Sequence, residues 1–224
     1  MGLDDFLMML DKPILAATNE KKLRRRKEDV FKLFNDFVAF QKVRIALLKD
    51  EKKFEYGKYP HILEALKKLD IVKRGKIDKA LVGGGLFEEY VFWLVKELDF
   101  DDVKCNVKIK IENIANKEIK NEVDVMMIKD NHIYMVECKL SSKLNGIEVI
   151  YKYDSIMSSF GDDSKTMIVN VSQKKKRKFL NRFSSENFKK ADILRGLFHN
   201  IDIYHKKELE VKEFQAQLRE FFHV

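Results

Sequence analysis

Cysteine is nearly absent: Cys105 and Cys138 are the only two in 224 residues. They form no CxxC pair, and no His/Cys cluster stands at zinc spacing, so no structural zinc is expected. Cys138 instead falls inside a strand, where a buried free thiol is the expectation. Long apolar runs are missing too, and without about 18 consecutive apolar residues nothing spans a membrane. The opening stretch, MGLDDFLMMLDKPILAATNEKK, puts acids ahead of a short apolar run and has no basic segment before it. That makes a poor signal peptide and points to the cytoplasm. The charge balance decides little: 44 basic against 36 acidic residues leave +8. Such an excess suits a polyanionic partner but is common among soluble proteins.

What is abundant is core material. Hydrophobic residues make up 45% of the chain and include 17 Phe, which excludes global disorder. The length fits one large domain, or one domain with a smaller appendage. Residues 3–50 read as helical, with Asp4 or Asp5 capping a first helix and Asn19 a second. Val30, Leu33, Phe34, Phe37, Val38, Phe40 and Val43 recur at helical spacing. The run KKLRRRK at 21–27 is either a phosphate-contacting strip or a solvated helix face. A helix from Pro60 followed by the turn Lys73-Arg74-Gly75-Lys76 resembles a winged-helix-like linker at 59–80, or else helical packing over a sheet. Division falls at Gly83-Gly84-Gly85, giving a helical region at 1–80 and a second domain at 81–224.

The stretch NEVDVMMIKDNHIYMVECKL, residues 121–140, carries the chemistry. It reads as two strands rich in Val, Ile, Met and Tyr joined by Asp130 and Asn131, which tolerate a left-handed backbone. Pairing then continues wherever two residue numbers sum to 261. Asp124 falls opposite Glu137, and Glu122 opposite Lys139, with paired Cβ atoms roughly 4.5–5.5 Å apart. Val123, Val125 and Val136 would share one face, and Met126, Ile128 and Met135 the other. Residues two apart share a face, so Asp124, Glu137 and Lys139 converge. Two carboxylates so placed in a buried sheet repel, and Mg²⁺ or Mn²⁺ resolves the conflict because these ions take oxygen ligands. Glu122, paired with Lys139, would steady that lysine rather than bind metal. An ordinary solvent-facing hairpin is the bland alternative, and apolar residues on both faces argue against it.

Glu88 and Glu89 open the apolar helix LFEEYVFWLVKEL. They cap it or, for Glu88, reach a neighbouring metal site. A period-2 strand follows at 103–112, with Lys104, Asn106, Lys108 and Lys110 on one wet face. Residues 147–160 read as a crossover helix and 165–171 as a buried strand. Basic residues Lys174, Lys175, Lys176 and Arg177 form a loop after that strand, either contacting phosphate or solvated. A helix at 186–198, a strand at 201–204 and an amphipathic helix at 206–222 complete the chain.

Asp124, then Glu137-Cys138-Lys139, with Glu88 on the preceding helix, resembles the PD-(D/E)xK nuclease superfamily. More narrowly, GGGLFEEYV, NEVDVMMIKDNHIYMVECKLS and FGDDSKTMIVN are similar to the nuclease domain of CRISPR ancillary nucleases that carry a CARF sensor. The resemblance covers residues 80–205, and the part before Gly83 lacks the length and strands for such a sensor. It implies an α/β, restriction-endonuclease-like core. In that core a central mixed sheet, in the order helix–strand–strand–strand–helix–strand, is flanked by helices and preceded by a helical region. It implies Glu88, Asp124, Glu137 and Lys139 as catalytic residues. It also implies Mg²⁺ or Mn²⁺ held by Glu88, Asp124, Glu137 and the Cys138 carbonyl, a DNA or RNA substrate, and a homodimer as one arrangement. A catalytically silent nucleic-acid-binding module and a Holliday-junction-resolvase-like repair nuclease remain as alternatives.

Overall fold

The hairpin is the seam from which the sheet is built outward. In the computed structural model, which describes residues 1–10, 12, 14–73, 76–112, 118–140, 146–171 and 200–224, eight strands are present. They are β1 (Ile14–Ala16), β2 (Val72–Lys73), β3 (Lys76–Ile77), β4 (Asp102–Glu112), β5 (Glu118–Lys129), β6 (His132–Lys139), β7 (Lys165–Val171) and β8 (Ile201–Lys206). Helices among the described residues are α1 (Leu3–Met9), α2 (Glu20–Arg24), α3 (Lys27–Asn35), α4 (Phe37–Lys49), α5 (Pro60–Lys68), α6 (Leu86–Lys96), α7 (Gly146–Met157) and α8 (Val211–Phe222). Six strands form one mixed sheet in the order β1-β4-β5-β6-β7-β8, while β2 and β3 pair alone. Strands β1 to β6 of the large sheet run antiparallel and β6, β7 and β8 run parallel. The parallel step from β6 to β7 needs a crossover, and α7 supplies it.

The tight turn forms as its residue types require. Asp130 (φ 50°) and Asn131 (φ 64°) are both left-handed, the geometry whose twist matches that of the flanking strands. Pairing runs from Lys129↔His132 to Val125↔Val136 in the expected register. There the ladder stops, one pair short of Asp124 and Glu137.

Its interruption has a counterpart on the other side of β5. Val103 and Cys105 lie in one apolar core, whereas Val107 and Ile109 lie in the other. Val125 and Met127 likewise oppose Val123. Both strands change face at the same level, where Asn106 (φ 53°) sits between the pairs Cys105↔Val125 and Val107↔Val123. Asparagine is among the few residues that take this conformation readily. Simple alternation therefore fails here, and Val123 and Val125 do not share a face. Bulge-like breaks of this kind re-aim side chains beside functional sites.

One core joins α3, α4, α5, α6 and α8 to the sheet, with Phe34, Phe40, Phe87, Val136 and Phe214 among its members. The apolar side of the last helix is thus packed inward at Phe214, Leu218 and Phe222. The other core lies under α1 and α7 around Leu7, Met135 and Tyr153. No helix among the described residues is long and apolar enough to cross a membrane.

Several local expectations are corrected. Residues 3–50 are not wholly helical, because 14–16 form an edge strand on β4. Helix α1 has no side-chain cap of its own from Asp4 or Asp5; Leu3 N–H donates to Asp102 Oδ2 on β4 at 3.0 Å. The crossover helix ends at Met157, and α8 starts at Val211 because β8 continues to Lys206. In the basic run at 21–27, Lys21, Lys22, Arg24 and Arg25 are exposed, whereas its last two residues are engaged by α6. Arg26 is paired with buried Glu89 at 3.1 Å, and Lys27 sits 4.8 Å from the Trp93 ring centroid. Arg74 and Gly75, and the helix expected at 186–198, lie outside the described residues.

Asn19 caps α2 by accepting from Lys21 N–H at 2.9 Å. Asp36 does the same for α4, accepting from Ala39 N–H at 3.1 Å where the chain turns from α3. Asp36→Ala is expected to cost about 1 kcal/mol, read as a lower denaturant midpoint with unchanged slope.

Candidate active site

At the point where the hairpin ladder stops, a side chain replaces the main chain. Asp124 Oδ2 accepts the Cys138 N–H at 2.7 Å, tying β5 to β6 with a carboxylate instead of a carbonyl. Asp124 is buried, and so is Glu137. Glu137 stands on the α7 side of β6 with Met135, and its two oxygens are engaged by different elements. Lys139, two residues on, forms an ion pair with Oε1, and the Tyr153 hydroxyl of α7 donates to Oε2. Lys152 Nζ lies 3.9 Å from the same Oε2 and donates to the Glu122 carbonyl at 3.1 Å.

Glu88 arrives from the first turn of α6. A helical side chain leans back toward the N-terminus, and its Oε1 lies 3.0 Å from where a Cβ on Gly84 would stand. Neither Glu88 nor Glu89 caps the helix through a side-chain hydrogen bond. Glu89 turns away to Arg26, so the two adjacent acids have separate environments.

The electrostatics report proximity. Burial pushes the Glu88 carboxyl up to about 7, Lys139 opposes the rise, and Glu137 and Glu122 add to it. Asp124 is driven well above the usual carboxylate range by burial, then by Glu137 and Glu88, with Lys139 and the Cys138 N–H opposing. For Lys139, burial would lower the pKa, but Glu137 and Asp124 outweigh it and raise it. Three carboxyl groups thus crowd one lysine. Burial and repulsion together store electrostatic strain that a dication of oxygen preference would relieve.

The structure brings Glu88, Asp124, Glu137 and Lys139 together. Cys138 contributes its N–H to Asp124, while its buried thiol joins the opposite core and is pushed up in pKa by burial. Glu122 does not meet Lys139. It is exposed and faces Lys108 across β4, 3.9 Å away, because the ladder has ended before residue 122. Lys174, Lys175, Lys176 and Arg177 lie outside the described residues. Tyr153 and Lys152 were not foreseen; they follow from α7 packing its Ile150–Tyr153–Met157 stripe on the sheet. A tyrosine on the buried stripe of a crossover helix was the available signal.

Among the described residues no three His, Cys, Asp or Glu side chains form a ready-made metal cage. Lys139 and Tyr153 engage the two Glu137 oxygens. The donor set nonetheless fits Mg²⁺ or Mn²⁺: hard carboxylate oxygens, with Glu88 and Asp124 both raised in pKa by burial and by the neighbouring Glu137.

Residues 76–222 match the family model described as the Card1-like endonuclease domain. No curated protein sequence matches the chain. Among solved structures, protein VC1899 from Vibrio cholerae superposes with a TM-score of 0.63 at 17% identity, covering 98% of this chain and 61% of that one. Can2 from Sulfobacillus thermosulfidooxidans, solved in complex with cyclic tetra-adenylate, gives 0.56 at 18% identity, covering 99% and 61%. The chain therefore spans about three fifths of the length of each of these proteins. At such identities the likeness is one of fold.

Proposed function

The chain belongs to the Card1-like endonuclease family, and from that premise we propose that it is a metal-dependent nuclease. Its reaction is hydrolysis of phosphodiester bonds in DNA or RNA, and its setting is CRISPR-linked antiviral defence, a reading that the Card1-like family match supports. The observation that carries this reading is the crowding of Glu88, Asp124 and Glu137 around Lys139 where the β5–β6 ladder breaks.

Asp124, Glu137 and Glu88, with the Cys138 carbonyl, would hold one or two Mg²⁺ or Mn²⁺ ions. A dication there supplies Lewis-acid stabilisation of phosphate charge and a more acidic bound water. The remaining work falls to the protein. Asp124 stays fixed through the Cys138 N–H, and Tyr153 holds Glu137 from beneath. Lys139 keeps its proton, since its pKa is raised, so it serves as a hydrogen-bond donor and not as the general base. An ammonium at that place orients the attacking water and balances charge growing on the phosphate oxygens.

Plasmid DNA, single-stranded DNA and RNA, incubated with Mg²⁺ or Mn²⁺, are expected to be cut, and EDTA to stop the cutting. Glu137→Ala and Lys139→Ala should abolish it. Full activity in either variant overturns the assignment.

A further inference from the structure

Arg44 is a buried cation whose three hydrogen-bond acceptors are all uncharged. It comes from α4, within the N-terminal helices, and is 7% exposed. Its Nε donates to the Val82 carbonyl at 2.9 Å, its Nη2 to the Gly83 carbonyl at 2.7 Å, and its Nη1 to Gln41 Oε1 at 3.1 Å. Burial lowers its pKa, yet a guanidinium keeps its proton in proteins. Burying a charge is costly unless its donors are well satisfied. Such a group, placed among Phe40, Val43 and Leu47, calls for a role that an aliphatic side chain would not fill.

The acceptors identify that role. Val82 and Gly83 belong to the π-helical turn Leu81–Gly85 that runs directly into α6. Leu86 N–H reaches back five residues to the Leu81 carbonyl. Turns of this kind are uncommon and frequently occur at functional sites. Gly84 follows the second acceptor directly, and it is the residue over which the Glu88 carboxylate lies. The chain of contact is therefore short: Arg44, the Gly83 carbonyl, Gly84, Glu88. A planar fork that holds two adjacent carbonyls fixes both position and orientation of the turn, which a lysine does not do.

We propose that Arg44 is a positioning residue of the nuclease site, holding the π-helical turn so that Glu88 is presented to Asp124, Glu137 and Lys139. The N-terminal helices thereby become part of the catalytic machinery and not only a cover for the sheet. This rests on the reading of Glu88 as a site residue, and the experiment separates the two.

Arg44→Met, Arg44→Lys and Gly84→Ala are made in the full chain. Each is assayed on the polynucleotide that the wild-type protein cuts while Mn²⁺ is titrated. Mn²⁺ binding is measured separately by calorimetry, and amide exchange by mass spectrometry. Arg44→Met should speed exchange at 81–88, with little change in β4–β6. It should also lower kcat by tens-fold to about 10²-fold, the scale of a small misplacement. KM for the polynucleotide should stay within about twofold, and the Mn²⁺ midpoint should rise. Arg44→Lys should recover part of the loss. Gly84→Ala keeps the Arg44 bonds but crowds Glu88, so it should reproduce the kcat and Mn²⁺ effects without faster exchange.

A folded Arg44→Met with kcat and Mn²⁺ midpoint at wild-type values overturns the proposal. If that variant does not fold, wild-type values in both Arg44→Lys and Gly84→Ala overturn it instead. A wild-type protein that binds Mn²⁺ but cuts nothing overturns the nuclease reading alone. In that case the proposal stands on a weakened Mn²⁺ affinity in the Arg44 variants and falls if the affinity is unchanged. A wild-type protein that neither binds nor cuts overturns both.

Discussion

Asp124→Asn will remove nuclease activity and make the metal-free protein harder to unfold. The two effects share a cause. Asp124 is a buried carboxyl driven well above its usual range by burial and by Glu137 and Glu88. At neutral pH the folded state therefore bears a charge it holds poorly, or a proton it must not lose. The sign follows from linkage: a carboxyl with a raised folded pKa adds no penalty while both states are protonated, below the unfolded carboxylate range. The penalty grows as pH rises through the window between the unfolded and the folded value. An asparagine carries no such cost. Its Oδ1 can still accept the Cys138 N–H that Asp124 now receives at 2.7 Å, and its amide can donate to a neighbouring carboxylate. Relief of active-site strain of this kind yields about 1 kcal/mol, while loss of a central electrostatic group costs at least about 10²–10³-fold in rate. Cleavage assays and denaturant unfolding in EDTA at pH 8 measure the pair. An Asp124→Asn protein that is less stable than wild type under those conditions would show that the carboxylate is satisfied where it stands.

Mn²⁺ will raise the unfolding temperature, and will do so more at pH 8 than at pH 6. Glu88, pushed up to about 7 by burial, is the titrating group that sets the window. In EDTA, stability should fall as pH rises from the ordinary carboxylate range toward 7, because the folded state keeps the Glu88 proton longer than the unfolded chain does. Metal reverses the trend, since it competes with that proton and binds the carboxylate. A dication at a hundred times its dissociation constant adds about 2.7 kcal/mol, or roughly 5–10 °C for a chain of this size. Between pH 8 and pH 6 the carboxylate fraction falls about tenfold, which removes about 1.4 kcal/mol of that gain. Scanning calorimetry at the two pH values, with and without Mn²⁺, tests this. Equal shifts at both would detach Glu88 from the metal. In a Glu88→Gln protein the difference between the two pH values should shrink.

The hairpin was legible because two local rules agree in it. Strand periodicity fixes which residues can face each other, and Asp130-Asn131 fixes where the chain turns. Together they place Glu137, Lys139 and Asp124 in one neighbourhood. The same periodicity misled at Val123 and Glu122. A left-handed residue at Asn106 reverses the faces of two strands at once, and no alternation pattern announces a reversal shared by both partners. Glu122 then falls to Lys108, on the far side of β5 from Lys139. The supporting charges were illegible for a different reason. Arg26 and Arg44 sit in basic or amphipathic helices where a solvated reading is the default, and their partners, Glu89 and the 82–83 carbonyls, are remote in sequence. Arg44 did leave a trace, since it occupies the buried stripe of α4 between Phe40 and Leu47. A cation on an apolar stripe asks for an acceptor, but only the fold says which one.

The edge strand β1 carries a consequence for synthesis of the chain. Ile14 pairs with Ile109, so β1 leaves the ribosome well ahead of β4 and has no strand partner until β4 follows. At 5–20 residues per second that is a delay of roughly 5 to 20 s. Strands β4, β5 and β6, by contrast, follow one another and zip as they emerge, since closing their short loops costs little entropy. Through the delay Met8, Met9 and Leu15, exposed even in the finished fold, accompany an unpaired strand. Three residues is a short template for wrong pairing, and its brevity protects the nascent chain while the sheet that will receive it is still being made.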